Sequence, residues 1–523
     1  MNISFNKFNN CDNLPKSEIH NMADKLKIDY KKIEKEINSK KQTNSKKQTN
    51  SKKQTNSKIC DLIKKKYNKI NPCGLTLHSD TNLTIKKHQM SVANHLFNNR
   101  GAIVVHSVGT GKTLSAIATA QCLLLNNIIK KVIVVTPTSL QSNFKSQMKM
   151  YGLTNKDFNL YNFFTLQKLV NDIDNNNIIS ATNSLIIIDE AHNLRTIDGG
   201  RVESILKYVK KAEKILLLTA TPLINYKYDI INLISLVKNE EPLTIDYFNK
   251  LSVEKSKEKE FKKYLSDVFS FYIKDKPDPN FPRKKVLEVF LEMSDNYLKL
   301  YDDIENGEVK RIPDFKDKNI NVFYNGVRRA SNIIEKKSPK VEWIIDKIKS
   351  EPRAKYVIFS HFINMGIKPI MKYLESKKIK YASVTGDLSI EQRQKAVEEY
   401  NNGKCRVLFI SKAGSEGLDL KNTTYLIILE SAWNLGSMEQ VIGRAVRYKS
   451  HDSLSDNKKS VTIYKLLLVK PEEYKHLNKI TDNYMLEYKN NILSVDLYLR
   501  NYAWLKEQEI IKFFKILQKF KIE

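Results

Sequence analysis

The sequence has few cysteines and no long apolar segment. Its five cysteines, spread over 523 residues, form no Cys-x-x-Cys pair and are too sparse for a disulfide framework, which favours a reducing compartment. No apolar run approaches the roughly 18 residues that indicate a membrane span, and the N-terminal residues lack the apolar core of a secretory signal. We therefore expect a soluble intracellular protein without a membrane partner.

The charge is strongly unbalanced towards the basic side. Lysine and arginine total 88 against 58 acidic residues, which leaves a formal net charge of +30. A field of this sign attracts polyanions and favours nucleic acid over acidic small molecules as a partner. With 41% hydrophobic residues, the chain can bury a core in each of two or three domains.

The chain divides by composition. Three consecutive copies of KKQTNS at residues 40–57 have no apolar face, so a disordered tether is expected there. This tether is either a repeat tract without function or a non-specific phosphate-binding arm. The predicted divisions are a basic N-terminal region (1–77), a first lobe (78–240), a mainly helical insertion (241–337), a second lobe (338–470) and a helical extension (471–523) that packs on the second lobe.

Short apolar runs alternate with helical patterns in two blocks. The first block contains GAIVVHS, KKVIVVTP, NSLIIIDE and KILLLTAT; the second contains KYVIFSH, CRVLFIS, YLIILES and VTIYKLL. Continuous apolar strands separated by helices are typical of parallel sheets that are covered on both faces. The predicted fold is therefore α/β, with two doubly wound parallel sheets.

A glycine-rich loop follows the first apolar strand in GAIVVHSVGTGKTLSAIATA. Gly109 and Gly111 allow the backbone N–H groups to face a phosphate, Lys112 can reach the β- and γ-phosphate oxygens, and Thr113 can hold Mg²⁺. The first glycine of the G-x-x-x-x-G-K-[ST] pattern is missing, and His106 stands in its place. The loop nevertheless has the strand-loop-helix context of a phosphate site.

Two carboxylates end a later strand, in NSLIIIDEAHNLR. Ligands of open α/β sheets bind at the carboxyl ends of the strands. Asp189 is placed to hold Mg²⁺ through water, and Glu190 to orient and deprotonate an attacking water. His192 either couples nucleotide state to the next strand or forms a local hydrogen bond.

Further candidates end a third strand and recur far downstream. Thr219 and Thr221, in LLLTATP, are placed to connect the two acids with a nucleic-acid path. The downstream candidates are Gly417, Asp419 and Gln440, which are expected to couple nucleotide state to movement, together with Gly443, Arg444 and Arg447. Arg444 and Arg447 lie three residues apart, hence on one face of a predicted helix, and can project together towards a γ-phosphate held by the other lobe.

In this order, KKHQ, GTGKT, VVTPTSL, DEAH, TATP, SEGLDL and QVIGRAVR resemble the motif set of superfamily 2 helicases. LTATPLINYKYDIINLISLV and the stretch around SPKVEWIIDKI resemble the Swi/Snf-type translocases of that group. FSFYIKDKPDPNFPRKKVLEVFLEMSDNYLKLY resembles poxvirus transcription ATPases, namely the small subunit of the early transcription factor and nucleoside triphosphatase I. The resemblance implies two RecA-like lobes, with ATP and Mg²⁺ as cofactors.

The resemblance also implies roles for individual residues. It makes Gln89 the adenine reader and Arg444 and Arg447 the arginine fingers. The implied phosphate and Mg²⁺ site comprises Gly109, Thr110, Gly111, Lys112, Thr113 and Asp189, with Glu190 as the second hydrolytic acid. The implied nucleic-acid backbone contacts are Thr136, Pro137, Thr165, Ser411, Lys412 and Gly414, none of which reads sequence.

The expected function is an ATP-dependent helicase or translocase that moves on nucleic acid, with DNA favoured over RNA. The alternative is a DNA-dependent ATPase subunit of a viral early transcription machinery, with RNA polymerase or a second transcription factor subunit as its partner. The viral resemblance would place the protein in the host cytoplasm or the virion. A third reading, a catalytically dead scaffold, is disfavoured because the loop lysine, both acids and both arginines are present.

Overall fold

A computed structural model describes residues 15–25, 28–32, 57–63, 73, 85–107, 109–195, 200–273, 279–309, 325–412 and 418–522, without the side chains of residues 139, 200–202, 308 and 309. The KKQTNS repeats, apart from their last serine, lie outside these residues. Towards the N-terminus, helix α1 (Lys16–Lys25) packs with residues 28–30 and 57–63 around a small core of its own. The sequence did not predict this N-terminal helical cluster.

The first lobe is a six-stranded parallel sheet in the order β3-β2-β4-β5-β1-β6. Its strands are β1 (Gly101–His106), β2 (Lys131–Val135), β3 (Tyr161–Phe164), β4 (Ser184–Asp189), β5 (Lys214–Thr219) and β6 (Phe269–Tyr272). Its helices are α2 (Lys87–Asn98), α3 (Lys112–Leu125), α4 (Thr138–Tyr151), α5 (Asn155–Phe158), α6 (Leu166–Asp174), α7 (Gly200–Val209), α8 (Ile231–Lys238), α9 (Ile245–Val253) and α10 (Glu258–Leu265). Two hydrophobic cores cover opposite faces of the sheet, which is why β1 and β5 are buried along their whole length.

The second lobe repeats this architecture with the strand order β7-β12-β11-β8-β10-β9, again parallel throughout. Its strands are β7 (Arg283–Glu292), β8 (Tyr356–Ser360), β9 (Tyr381–Val384), β10 (Val407–Ser411), β11 (Tyr425–Ile428) and β12 (Ser460–Val469). Its helices are α11 (Asp295–Val309), α12 (Asn325–Ala330), α13 (Pro339–Ser350), α14 (Lys368–Ser376), α15 (Ile390–Asn401) and α16 (Leu435–Ala445). The predicted fold class, two doubly wound parallel sheets, is confirmed.

The segment 241–337 contains two strands that the sequence did not predict. β6 joins the first sheet beside β1, and β7 joins the second sheet beside β12. The helices α9 to α12 accompany them. Much of the expected insertion is therefore part of the two lobes, and the direct connection between the lobes runs from β6 to β7.

The C-terminal region packs on both lobes, whereas the sequence predicted packing on the second lobe. After α17 (Pro471–Lys475) and α18 (Leu477–Asp482), a short hairpin of β13 (Glu487–Tyr488) and β14 (Asn491–Ile492) leads into α19 (Val495–Leu517). The first turns of α19 lie in a core that also contains residues of β12. Its last turns bring Ile510, Phe513 and Leu517 into the core of the first lobe. One 23-residue helix thus contacts both lobes.

The cysteines also differ from the expectation. Cys73 and Cys122 form a disulfide, and Cys60 is also disulfide-bonded, whereas Cys405 is a buried thiol. Cys122 lies on α3 and meets Cys73 from a distant part of the chain, a proximity that cysteine spacing alone does not reveal. Cysteine usage therefore does not indicate a reducing compartment.

A buried ion pair fastens α19 to the second lobe. Lys340 Nζ lies 2.6 Å from Asp496 Oδ2, and the two side chains are 0% and 1% exposed. Lys340 also donates to the Leu429 carbonyl, and Asp496 accepts from the Leu468 N–H. We expect Lys340→Met to lower the free energy of unfolding by about 3–5 kcal/mol, because a carboxylate would remain buried without its cation. Urea unfolding monitored by fluorescence would measure the loss.

The matched control is Lys207→Met, which removes a lysine from an exposed pair with Glu203. An exposed pair contributes little, so this variant should unfold like the wild type. Equal unfolding curves for the two variants would contradict the assignment of Lys340 and Asp496 as a structural pair.

Candidate functional site

The glycine-rich loop connects β1 to α3 as predicted. Gly109 and Gly111 have φ angles of +75° and +85°, a region that side chains with a Cβ rarely adopt. Helix α3 begins at Lys112, directly after Gly111. The loop therefore presents backbone N–H groups and a helix N-terminus at the carboxyl end of an inner strand, an arrangement that binds phosphate.

His106, which replaces the first glycine of the pattern, is accommodated by a strand that the sequence did not predict. Its side chain is fully buried, and its Nε2 lies 3.0 Å from the Ser270 hydroxyl oxygen on β6. Burial lowers the pKa of His106 to about 3, so the ring is neutral. The loop lysine, Lys112, donates to the His106 carbonyl at 3.0 Å. The departure from the pattern thus leaves the phosphate loop intact.

Three charged side chains meet beside the loop. Burial first, and the charge of Glu190 second, raise the pKa of Asp189 to about 6, while the neighbouring Lys112 opposes the shift. Burial lowers the pKa of Lys112, and the two carboxylates oppose that change. Asp189 also lies 3.4 Å from the Thr136 hydroxyl. A cation bound here would offset the repulsion between the two carboxylates, and a bound phosphate would give the buried lysine a negative partner.

His192 connects the acids to the next strand. Its Nδ1 lies 3.3 Å from a Glu190 carboxylate oxygen and 3.3 Å from the Thr219 hydroxyl. The Thr219 hydroxyl in turn accepts from the Thr221 N–H at 3.1 Å. Burial lowers the pKa of His192 to about 4, so the imidazole is neutral near pH 7. A proton on Nδ1 satisfies both oxygens and leaves Nε2 as an acceptor.

That acceptor faces the other lobe. The Gln440 side-chain amide on α16 lies 3.2 Å from His192 Nε2, where it can donate. Since His192 belongs to the first lobe and Gln440 to the second, this contact joins the two lobes beside the acids. The sequence predicted a coupling role for each residue but not their direct contact.

The two candidate arginines lie close to Gln440 in the chain. Arg444 is on α16, but the helix ends at Ala445, so Arg447 is not on the same helical face as the sequence predicted. Arg447 donates to the Leu418 carbonyl at 2.7 Å, and its Nε lies 3.8 Å from an Asp419 carboxylate oxygen. Both arginines nevertheless line the same cavity between the lobes.

This cavity, which we call the nucleotide cavity, has a volume of about 930 Å³. From the first lobe it is lined by Ser107, Lys112, Thr113, Asp189, Glu190 and Thr221, and from the second by Gly436, Glu439, Gln440, Gly443, Arg444 and Arg447. Its walls therefore combine a phosphate loop, two acids and two arginines. The connection between the lobes also contributes, through Pro279, Phe281 and Pro282. The sequence missed these three residues, although PDPNFPR interrupts the helical pattern.

Gln89 lies against the phosphate loop. It is 2% exposed, its Nε2 is 3.4 Å from the carbonyl oxygens of Thr110 and Gly111, and its Oε1 accepts from the Lys86 N–H. Both ends of the amide thus contact the protein itself. Gln89 is not among the residues that line the nucleotide cavity.

The candidate nucleic-acid contacts lie at the carboxyl ends of the strands. Thr136, Pro137 and Thr165 line a shallow cavity of 350 Å³ together with Asp189 and Glu190. Pro137 and Lys412 also line a 340 Å³ cleft between the lobes that reaches Gln440 and Arg444. Ser411 is buried at the end of β10. Gly414 and Gly417 lie outside the described residues.

Within the described residues, no group of three or more His, Cys, Asp or Glu side chains could hold a metal ion alone. The same residues include no helix that is both long and apolar enough to span a membrane.

Two family comparisons match the two lobes. Residues 82–224 match the family described as type III restriction enzyme, res subunit, and residues 339–449 match the helicase conserved C-terminal domain. A protein of Acanthamoeba polyphaga mimivirus that is named as an ATP-dependent RNA helicase is 32% identical over 428 residues. The match covers 77% of this chain and 93% of that protein.

Two further likenesses are more limited. Nucleoside triphosphatase I of Choristoneura biennis entomopoxvirus is 29% identical over 178 residues, which are 33% of this chain and 24% of that protein. The SWI2/SNF2 ATPase core of Sulfolobus solfataricus, solved in complex with dsDNA, covers 84% of this chain and 98% of its own at 18% identity. The TM-score of this likeness is 0.33.

Proposed function

The chain belongs to the helicases of superfamily 2, which are nucleic-acid-dependent ATPases, and on this premise we propose that its two lobes close on one ATP to drive movement along nucleic acid. The observation that carries the proposal is the nucleotide cavity, whose catalytic candidates come from both lobes. Because neither lobe holds the full set, hydrolysis would depend on how the lobes are arranged. This dependence is what couples chemistry to motion.

Each group has a distinct task in the proposed reaction. The phosphate loop and Lys112 hold the β- and γ-phosphates. Glu190 takes a proton from the attacking water while the water oxygen bonds to the γ-phosphorus. ADP leaves as the bond between the γ-phosphorus and the β–γ bridging oxygen breaks. Arg444 and Arg447 stabilise the negative charge that spreads over the transferred phosphoryl group.

The site has the donors that a magnesium ion needs. Thr113 and Asp189 both line the nucleotide cavity, and hydroxyl and carboxylate oxygens are ligands that Mg²⁺ accepts. Two protein oxygens suffice because phosphate oxygens and water complete such a site. When bound, Mg²⁺ neutralises charge on the phosphates and orients them.

The contact between Gln440 and His192 is proposed to report nucleotide state from one lobe to the other. We expect Gln440→Ala to retain basal ATP hydrolysis within about tenfold but to lose most of its stimulation by nucleic acid, because the amide that meets His192 Nε2 at 3.2 Å is removed. Steady-state hydrolysis with and without polymer would measure both effects. Gln394→Ala, on helix α15 in the second lobe, is the control. Full stimulation of Gln440→Ala would contradict the coupling role.

For the polymer, we take DNA as the first candidate because the motifs resemble those of Swi/Snf-type translocases, and RNA as the second because the mimivirus relative is named as an RNA helicase. The residues Thr136, Pro137, Thr165 and Lys412 are proposed to contact its backbone. ATP hydrolysis should be measured at one low salt concentration without polymer, and with single-stranded DNA, duplex DNA or RNA.

Stimulation by duplex DNA would favour a translocase, and stimulation by single strands alone would favour strand separation. If RNA alone stimulated hydrolysis, RNA would be the substrate and the proposal of DNA would be wrong. If no polymer changed the rate, the proposal that this chain acts alone as a motor would be wrong.

A second candidate function is an ATPase subunit of a viral early transcription machinery. It is favoured by the 178-residue likeness to nucleoside triphosphatase I. This function would require RNA polymerase or a second transcription factor subunit as a partner, and a location in the host cytoplasm or the virion. Co-purification of RNA polymerase subunits with the chain from infected cells would support it.

A further inference from the structure

Two asparagines, Asn225 and Asn434, join the lobes by a hydrogen bond to which the proposed reaction gives no task. Asn434 Nδ2 donates to Asn225 Oδ1 at 3.1 Å, and both residues are half-buried. Asn225 follows β5 in the first lobe, and Asn434 follows β11 in the second. This asparagine pair therefore connects the lobes at a point distinct from the contact between His192 and Gln440.

Asn225 is held in place by a buried carboxylate, that of Asp229. Its Oδ2 accepts from the N–H groups of Ile224, Asn225 and Tyr226 at 2.9, 2.7 and 3.2 Å. Hydrogen bonds to an ionised carboxylate are stronger than those between neutral groups. The loop that carries Asn225 is therefore fixed to the first lobe by its backbone, independently of the Asn225 side chain.

Asn434 is the N-cap of α16, the helix that carries Gln440 and Arg444. Its Oδ1 accepts from the Ser437 N–H at 2.8 Å and thereby satisfies one of the free N–H groups at the helix start. This bond also fixes the orientation of the amide, because the oxygen faces the helix and the nitrogen is left to donate to Asn225. The bond between the lobes therefore acts directly on the first turn of α16.

The first turn of α16 also lies against the loop of the first lobe. A Cβ added to Gly436 would lie 4.0 Å from Ile224 Cγ2. Further along the same helix, Arg444 lines the nucleotide cavity. An α-helix rises about 1.5 Å per residue, so Arg444 lies about 15 Å along the axis from Asn434. Because the helix is continuous over this distance, the position of its first turn determines where Arg444 points.

Helix α19 supports the asparagine pair from both sides. Lys506 Nζ on this helix lies 4.7 Å from the ring centroid of Tyr226 and 5.0 Å from that of Tyr502. Tyr502 in turn meets Trp433 edge to face, with ring centroids 6.1 Å apart. Tyr226 directly follows one asparagine in the chain, and Trp433 directly precedes the other. One helix thus contacts the neighbour of each member of the pair.

We propose that Asn225 and Asn434 are positioning residues, which orient α16 so that Arg444 reaches the phosphoryl group transferred from ATP. The inference rests on the proposed function, in which ATP occupies the nucleotide cavity. Neither asparagine is among the residues that line this cavity, so the pair acts through the helix and not by contact with ATP. Since the bond requires both lobes, it stabilises the arrangement in which Arg444 faces the phosphate loop.

The test is a double-mutant cycle. Asn225→Ala removes the acceptor but keeps the backbone N–H that Asp229 binds, and Asn434→Ser removes the donor but keeps an oxygen that can cap α16. Each variant should lower kcat for ATP by about three- to tenfold, the size of one hydrogen bond converted to a rate. Binding of labelled ATP should stay within about twofold of the wild type, because Lys112 and the phosphate loop are untouched. The double variant should be no slower than either single variant.

Asn225→Asp is the matched control, since it keeps an acceptor oxygen for Asn434 Nδ2, and its kcat should stay within about twofold of the wild type. The inference would be overturned by a wild-type kcat in both Asn225→Ala and Asn434→Ser, or by losses that add in the double variant. It would equally be overturned if Asn225→Asp were as slow as Asn225→Ala, or if the variants lost ATP binding instead of turnover. The proposed function fails separately, because a wild-type protein without ATP hydrolysis would contradict it, whatever the variants do.

Discussion

Glu190→Gln should reduce the turnover number for ATP by about 10³-fold while ATP binding persists. Glutamine keeps the shape of the side chain but cannot accept the proton of the attacking water, and a positioned general base contributes about 10²–10⁴ in rate. Binding should persist because Lys112 and the phosphate loop are untouched. Binding of ATP should even become tighter, because the substitution removes a negative charge from a crowded acidic site. The crowding is shown by the pKa of Asp189, which the Glu190 charge helps to raise.

Two measurements separate these effects. Single-turnover hydrolysis gives the chemical rate, and filter binding of labelled ATP gives the affinity. Glu203→Gln, an exposed acid paired with Lys207 in the first lobe, provides the control and should leave both unchanged. A Glu190→Gln turnover within tenfold of the wild type would remove Glu190 from the role of general base.

The parallel strands could be predicted from sequence because burial on both faces makes them continuous apolar runs. SLIIID is an example, since β4 is buried over all but its last residue. β7 has no such signal. Its residues RKKVLEVFLE are exposed or half-buried because it is an edge strand, paired on one side only to β12. Because β7 lacks a burial pattern, the sequence did not predict the direct connection from β6 to β7 between the lobes.

In the site, chemical identity was predictable and relative position was not. The phosphate loop, Asp189 and Glu190 follow apolar strands, and the carboxyl ends of parallel strands meet at one edge. Arg447 shows that spacing in the sequence does not determine where a side chain lies. Its spacing from Arg444 predicted a shared helical face, but α16 ends at Ala445, and tertiary contacts with Leu418 and Asp419 decide where Arg447 lies.

Replacing Arg447 by alanine should lower the turnover number by about 10³-fold or more and leave the affinity for ATP within a few fold. An arginine finger supplied from a second unit contributes about 10³–10⁵ in turnover. Its charge matters mainly in the transition state, so ground-state binding is spared. Lys112→Ala should differ by weakening both binding and turnover, because this lysine contacts the phosphates before and during reaction.

Arg444→Ala should show the same pattern, since Arg444 also faces the nucleotide cavity and lies one turn of α16 after Gln440. Steady-state hydrolysis and labelled-ATP binding would be compared with Arg353→Ala, which alters an exposed arginine in the second lobe. Wild-type hydrolysis by Arg447→Ala would show that Arg447 serves only to hold the Leu418 segment. If both arginines prove necessary, hydrolysis cannot proceed while the lobes are apart. Closure of the lobes is then a requirement of the chemistry, and each hydrolysed ATP is linked to one movement between them.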